Sequence, residues 1–314
     1  MTGFVIRRLA QAVIVVLLVT FIMFVLLHLL PGSPARAELG VKAQPQAIAA
    51  FNKLNGFDKP LWEQYFLYVG RVFEGNLGFS YRQNASVVSL VVEYLPKTAI
   101  LLGLSVVVSV LVAIPLGVYQ AVRRNRWDDY VVTGGAFFFY SFPTFFLGAV
   151  LIQIFSISLH WLPSHAPQGN TVGALFSQWT ALILPVATLS LVSIASYSRY
   201  MRSAMIDSLA QDYIRTAKAK GLSRRAVLFG HALRNSLIPM ATLLGLSIPY
   251  ILGGAIITEY IFNYPGIGLL FIQSAQSLDF AVLLGLTLLA AISTIVGNLV
   301  ADIAYGVLDP RIRY

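Results

Sequence analysis

Two groups of residues in this 314-residue sequence have the types and spacing to do more than fold. The first is a polar pair, Asn298 and Asp302, one helical turn apart in an otherwise apolar stretch. Residues four apart share a helix face. Either both line a conduit, or Asp302 reaches an interface or a basic partner while Asn298 bonds a neighbouring helix. Gln153, His28 and His160 pose the same choice, and such residues are commonly the glue between apolar helices. The second group is the basic run Asp212-Tyr213-Ile214-Arg215-Thr216-Ala217-Lys218-Ala219-Lys220-Gly221-Leu222. It starts as a helix and meets a glycine, the residue best suited to the left-handed position after a helix end. A second helical pattern follows over 224–233. The run is either a solvated basic helix or a docking element.

Other chemistries lack their residues. There is no cysteine, so disulfides, thiolate metal sites and a cysteine nucleophile are excluded together. No Gly-x-x-x-x-Gly-Lys-Ser/Thr loop is present to cradle nucleotide phosphates, no His-Glu-x-x-His pair to hold zinc, and no Gly-x-Ser-x-Gly elbow. If this chain takes part in active transport, another subunit must supply the energy.

The elements that position these residues are membrane helices. Apolar residues make up 57% and charged residues 11%, and the mean hydropathy is +0.75. An ordinary soluble domain has roughly 45–50% and about 25%. Crossing a hydrocarbon core of ~30 Å takes about 20 apolar residues as a helix. Spans are expected near 10–30, 98–122, 130–159, 181–197, 237–258 and 281–305. The first is too long for the apolar core of a signal peptide and reads as an uncleaved anchor, although Ala35-Arg36-Ala37 resembles a cleavage site. Pro115, Pro143, Pro185 and Pro249 lie within spans and are either packing kinks or hinges.

Six spans put both ends on one side, and the basic residues choose which. With the N-terminus inside, 15 of the 22 Lys and Arg are cytoplasmic, from Arg7 and Arg8 to Arg311 and Arg313, and 7 are outside. All 7 lie in one long loop, where the charge rule is weak. Seven acids are also outside, among them Glu259, so the outer face is neutral and the net +9 is cytoplasmic. The topology accounts for the charge without a nucleic-acid partner. An external loop domain is expected over 31–97, including a 61–73 run too short to span, and a cytoplasmic loop over 198–236.

The 212–222 run resembles the Glu-Ala-Ala loop of permease subunits in ATP-binding-cassette importers, in which Gly follows three residues later. Ala217 matches the second alanine and Gly221 the glycine, while Arg215 and Thr216 stand where Glu-Ala would be. His231-Ala232-Leu233-Arg234 departs from the general Ile-x-Leu-Pro ending, with proline arriving at Pro239. These departures are similar to the dipeptide/oligopeptide branch. So are Leu30-Pro31-Gly32-Ser33-Pro34, Gly75-Asn76-Leu77-Gly78-Phe79-Ser80, Phe262-Asn263-Tyr264-Pro265-Gly266-Ile267-Gly268, Asn298 to Asp302 and the ending Asp309-Pro310-Arg311-Ile312-Arg313. The long first loop resembles the B-type subunit. The resemblance implies an all-α membrane protein of the type I importer permease fold, in the inner membrane, with residues 1–30, 31–97 and 98–314 as anchor, external cap and core. It implies four partners: a C-type permease, two ATPase subunits that bind ATP and magnesium, and an extracytoplasmic peptide-binding protein. It also implies that Tyr213, Arg215, Thr216, Ala217, Lys218, Gly221 and Leu222 couple to the ATPase. A secondary transporter or channel subunit remains the alternative, although a secondary transporter would want charges or broken helices within matched halves.

Overall fold

The computed structural model describes residues 2–29, 34–40, 43–169, 171–245, 247 and 255–308. Pro31, Gly32, Ser33, Pro249 and the ending from Asp309 to Arg313 lie outside the described residues. Helix α1 (Thr2–Leu29) leads into three short helices, α2 (Pro34–Leu39), α3 (Pro45–Asn55) and α4 (Leu61–Phe73). A small hairpin of β1 (Phe79–Ser80) and β2 (Ala85–Ser86) precedes α5 (Val87–Val122). Then come α6 (Trp127–Ser141), α7 (Thr144–Leu151), a π-helical run (Ile152–Ser158), α8 (Val172–Ser177) and α9 (Trp179–Leu209). The last part holds α10 (Asp212–Ala219), a second π-helical run (Ala226–Ala232), α11 (Leu233–Gly245), α12 (Ile256–Ile261), α13 (Ile267–Ser277) and α14 (Phe280–Leu308).

Among the described residues, four helices are long and apolar enough to cross a bilayer: α1 from Ala10, α5, α9, and α14 as far as Val300. The α6–α7 pair makes a fifth if it is one broken span, bent by 103°. The bend falls at Phe142-Pro143, where proline cannot continue the helix and holds the residue before it extended. Pro115 and Pro185 instead sit inside continuous helices. The span expected over 237–258 begins in α11 and runs into residues that are not described. The helix carrying 98–122 starts eleven residues earlier, at Val87, where Ser86 Oγ accepts the Ser89 N–H at 3.1 Å. At 36 residues it is ~54 Å long, well beyond a ~30 Å core, so it must project from the bilayer.

Helices α5 and α9 form the central pair. Small residues let them approach closely, as membrane helices require when lipid removes the hydrophobic drive. Ser190 Oγ donates to the Ser105 carbonyl at 3.1 Å, and all of Ser105, Ser109 and Ser190 are buried. A Cβ on Gly117 would lie 2.6 Å from Met201 Cβ and 2.7 Å from the Ser198 carbonyl oxygen. Because one of those atoms is backbone, the site cannot relax by a rotamer change. Gly117→Val should therefore destabilise the protein by about 3 kcal/mol, at or beyond the upper end of ordinary overpacking. Thermal unfolding of the purified variant checks this, and an unchanged midpoint would refute the close approach.

The amphipathic α4 is tied to α1 by polar contacts. Tyr65 OH donates to the Leu17 carbonyl at 2.7 Å and lies 3.0 Å from Thr20 Oγ1. The hairpin docks on the start of α14, where Ser80 Oγ donates to the buried Asp279 carboxylate. Asp279 Oδ1 in turn accepts the Val282 N–H at 3.2 Å, closing the first turn of α14.

Candidate coupling site

Helix α10 is amphipathic, and two of its apolar residues, Ile214 and Ala217 at i and i+3, point the same way. Ile214 is 0% and Ala217 5% exposed, packed into a core with Val118, Met201, Met205, Val227 and Met240. Tyr213, Arg215, Thr216, Lys218, Lys220, Gly221 and Leu222 are exposed. The helix thus stands on Ile214 and Ala217 and presents a basic face with Tyr213 and Leu222 on it. Ala217, expected at the coupling surface, is one of the two anchors. The Arg215–Asp212 pair spans 3.2 Å with side chains 79% and 93% exposed, so it adds little and leaves the arginine available.

The end of α10 is set by hydrogen bonds. Gly221 has φ +76°, its N–H donates to the Lys218 carbonyl at 3.0 Å, and the Leu222 N–H donates to the Ala217 carbonyl at 3.3 Å. That is a Schellman ending, which needs a left-handed residue where glycine sits. No atom lies within 4 Å of a Cβ built there, so backbone strain rather than crowding selects the glycine. The helical pattern over 224–233 is realised from Ala226 as a π-helix, a rare winding whose hydrogen bonds span one residue more than those of an α-helix. The Ala232 carbonyl at its end accepts the Ser208 and Ser236 hydroxyls at 3.0 and 2.9 Å.

A polar clamp holds the base of this unit. Asp129 accepts Arg202 Nε at 2.9 Å and Nη2 at 2.7 Å, a bidentate pair joining α6 to α9. The same carboxylate accepts the Asn125 N–H at 3.1 Å, in the turn between α5 and α6. Asp128 accepts Tyr119 OH and Arg123 Nη1, both at 2.8 Å. One turn from Arg202, the Arg199 guanidinium lies 5.1 and 4.7 Å from the Phe137 and Tyr140 ring centroids. Two cations that the charge count placed on the cytoplasmic side are therefore committed to particular partners on α6. The signal for this was present: two adjacent acids, Asp128 and Asp129, stand at the edge of an apolar span.

The remaining polar candidates are scattered. Gln153 is exposed in the first π-helical run, its Nε2 3.4 Å from Ser158 Oγ. Asn298 lines an open groove of ≈680 Å³ between α1 and α14, with Gln11, Thr287 and Thr294. Asp302 belongs to α14, but its side chain lies outside the described residues. His28 bonds within the α1–α4 junction, Nδ1 facing the Phe24 carbonyl at 2.7 Å and Nε2 facing Gln64 Oε1 at 3.2 Å. His160 is exposed at φ +56° after the first π-helical run.

A residue that sequence reasoning missed is Glu259, 0% exposed. Its Oε1 accepts Thr98 Oγ1 at 3.0 Å and the Ala255 N–H at 3.3 Å. Its Oε2 accepts the Gly268 and Leu269 N–H groups, at 2.6 and 3.2 Å, in the first turn of α13. Cβ atoms on Gly266 and Gly268 would collide with Glu259 Oε2 and with the Ile256 backbone. The Phe262–Gly268 motif is therefore a cage for one carboxylate.

Comparison with known proteins adds to this geometry. Residues 113–314 match the family described as binding-protein-dependent transport system inner membrane component. Residues 1–102 match the N-terminal family of the same systems. The chain is similar to the oligopeptide transport system permease protein AppB of Bacillus subtilis, 37% identical over 316 residues and 100% of both chains. It is also similar to the glutathione transport system permease protein GsiC of Escherichia coli, 38% identical over 314 residues and again 100% of both chains.

Proposed function

Because the chain belongs to the family of binding-protein-dependent transport system inner membrane components, we propose that it forms one half of the pathway of an ATP-driven importer for oligopeptides or for peptide-like solutes such as glutathione. It is a multi-pass permease of the cytoplasmic membrane. In this reading it crosses six times with both termini inside, residues 31–97 cap the outer face, and residues 98–314 form the core. A C-type permease supplies the other half. Two ATP-binding subunits hold ATP and magnesium, and an extracytoplasmic binding protein delivers the solute to the cap.

The observation that carries the reading is the build of α10. Ile214 and Ala217 root it in the same core as α5, α9 and α11, while its basic face with Tyr213 and Leu222 is left outward. A displacement imposed on that outward face would pass directly to the transmembrane helices. Gly221 fixes the angle at which the chain leaves it. Valine at this position would have to adopt φ +76°, at roughly 1–2 kcal/mol, or abandon the ending. Asparagine tolerates that conformation.

The test is the complete system, this chain with its four partners, reconstituted in vesicles. Gly221→Val is expected to lower solute uptake per ATP hydrolysed about tenfold while the complex still assembles, and Gly221→Asn should retain most coupling. Wild-type uptake in a normally assembled Gly221→Val complex would remove the coupling role.

A further inference from the structure

Where the cap meets α1 and α14, a cavity of ≈130 Å³ remains unfilled. Its walls are aromatic rings, chiefly Phe24, Phe51, Phe57, Tyr68 and Phe280, and Arg71 lines it as well. The rings brace one another rather than fill the space. Phe51 meets Phe57 at 6.1 Å between centroids and Tyr81 edge-on at 5.2 Å, while Phe24 meets Tyr68 at 6.3 Å. Burial, with Tyr65 nearby, pushes the Tyr68 hydroxyl well above its ordinary range, so that wall stays neutral.

The size decides what fits. An apolar cavity of about 150 Å³ takes one benzene ring. This one accordingly has room for one phenyl or branched aliphatic group. The charge decides the rest. Arg71 Nη2 donates to the Asn55 carbonyl at 3.2 Å, and among the described residues no carboxylate stands within ion-pair distance of the guanidinium. A planar cation with free donors beside an apolar box matches a ligand that has a ring at one end and a carboxylate at the other.

We propose that this cavity in the cap binds a small carboxylate bearing one aromatic or branched aliphatic group, the chemistry of the last residue of a peptide. The site is separate from α10 and does not depend on the transport reading.

The test uses the purified full-length chain in lipid nanodiscs, titrated calorimetrically with N-acetylphenylalanine. One-to-one binding is expected, with N-acetylphenylalanine amide at least about tenfold weaker because the charge-assisted bonds to Arg71 are lost. Arg71→Gln should erase the preference for acid over amide. Leu67→Trp, which fills the cavity from its α4 wall, should abolish binding of both while the unfolding midpoint stays at the wild-type value. The tripeptide Ala-Ala-Phe distinguishes the sources: equal affinity supports peptide ends as the ligand, and binding of N-acetylphenylalanine alone supports single amino-acid derivatives. Equal affinity of the wild type for acid and amide, or no binding of either, overturns the proposal, and neither result bears on whether the chain is a permease.

Discussion

Glu259→Ala is expected to destabilise the protein by about 3–5 kcal/mol, enough to remove most folded material from a membrane extract. The carboxylate gathers four donors from three segments: the Thr98 hydroxyl on α5, the Ala255 N–H before α12, and two N–H groups that open α13. Removing it leaves those donors buried with no acceptor, at about 1–3 kcal/mol for each that water cannot reach. Glu259→Gln tests the chemistry at nearly constant volume. An amide has one acceptor oxygen, so its NH2 would face either Thr98 and Ala255 or the Gly268 and Leu269 N–H groups. Glutamine should therefore rescue only part of the loss. Fluorescence-detected gel filtration with a thermal ramp measures both variants, and a glutamine variant of wild-type stability would mean the site needs shape rather than an acceptor-only group.

Arg202→Met should be nearly as severe, again about 3–5 kcal/mol, because it strands Asp129 at 2% side-chain exposure without its cation. The pair is bidentate, so Arg202→Lys should recover little: an ammonium cannot reach both oxygens with the same geometry. The sharper test is the double variant Arg202→Met with Asp129→Leu. Replacing both partners by apolar groups removes the stranded charge, and most of the stability should return. A double variant as unstable as the sum of the singles would show that the two side chains act independently. In the assembled transporter the clamp has a further consequence. It ties α6 to α9 immediately before α10, so its loss should lower uptake per ATP in whatever complex still forms.

Much of the architecture was legible along the chain. Charge and hydropathy pick out a helical membrane protein because transfer to lipid is nearly additive over a span. The short amphipathic α4 was visible for the same reason: its 13 residues alternate faces at helical spacing and are too few to cross. Gly221 was legible as a left-handed helix end, since the Schellman ending is a local device of six residues. The bend at Pro143 was only half legible, because Pro115 and Pro185 have the same residue type and stay within continuous helices. Which proline breaks its helix depends on whether neighbours accommodate the lost hydrogen bond.

What the sequence by itself determined is therefore the solvent this chain lives in, the side its positive charge favours, and the local ends of its helices. Tertiary structure alone decided which face of α10 is free, turning Ala217 from a contact residue into an anchor, and which polar residues are fixed. Asp129 meets Arg202 across 73 residues and Glu259 meets Thr98 across 161, while Tyr68 reaches the Leu284 carbonyl across 216. Periodicity reports only on neighbours three or four residues away. A buried charge finds its partner wherever the helices happen to pack, and that packing is settled by small residues such as Gly117 and Ser105 whose identity carries no address.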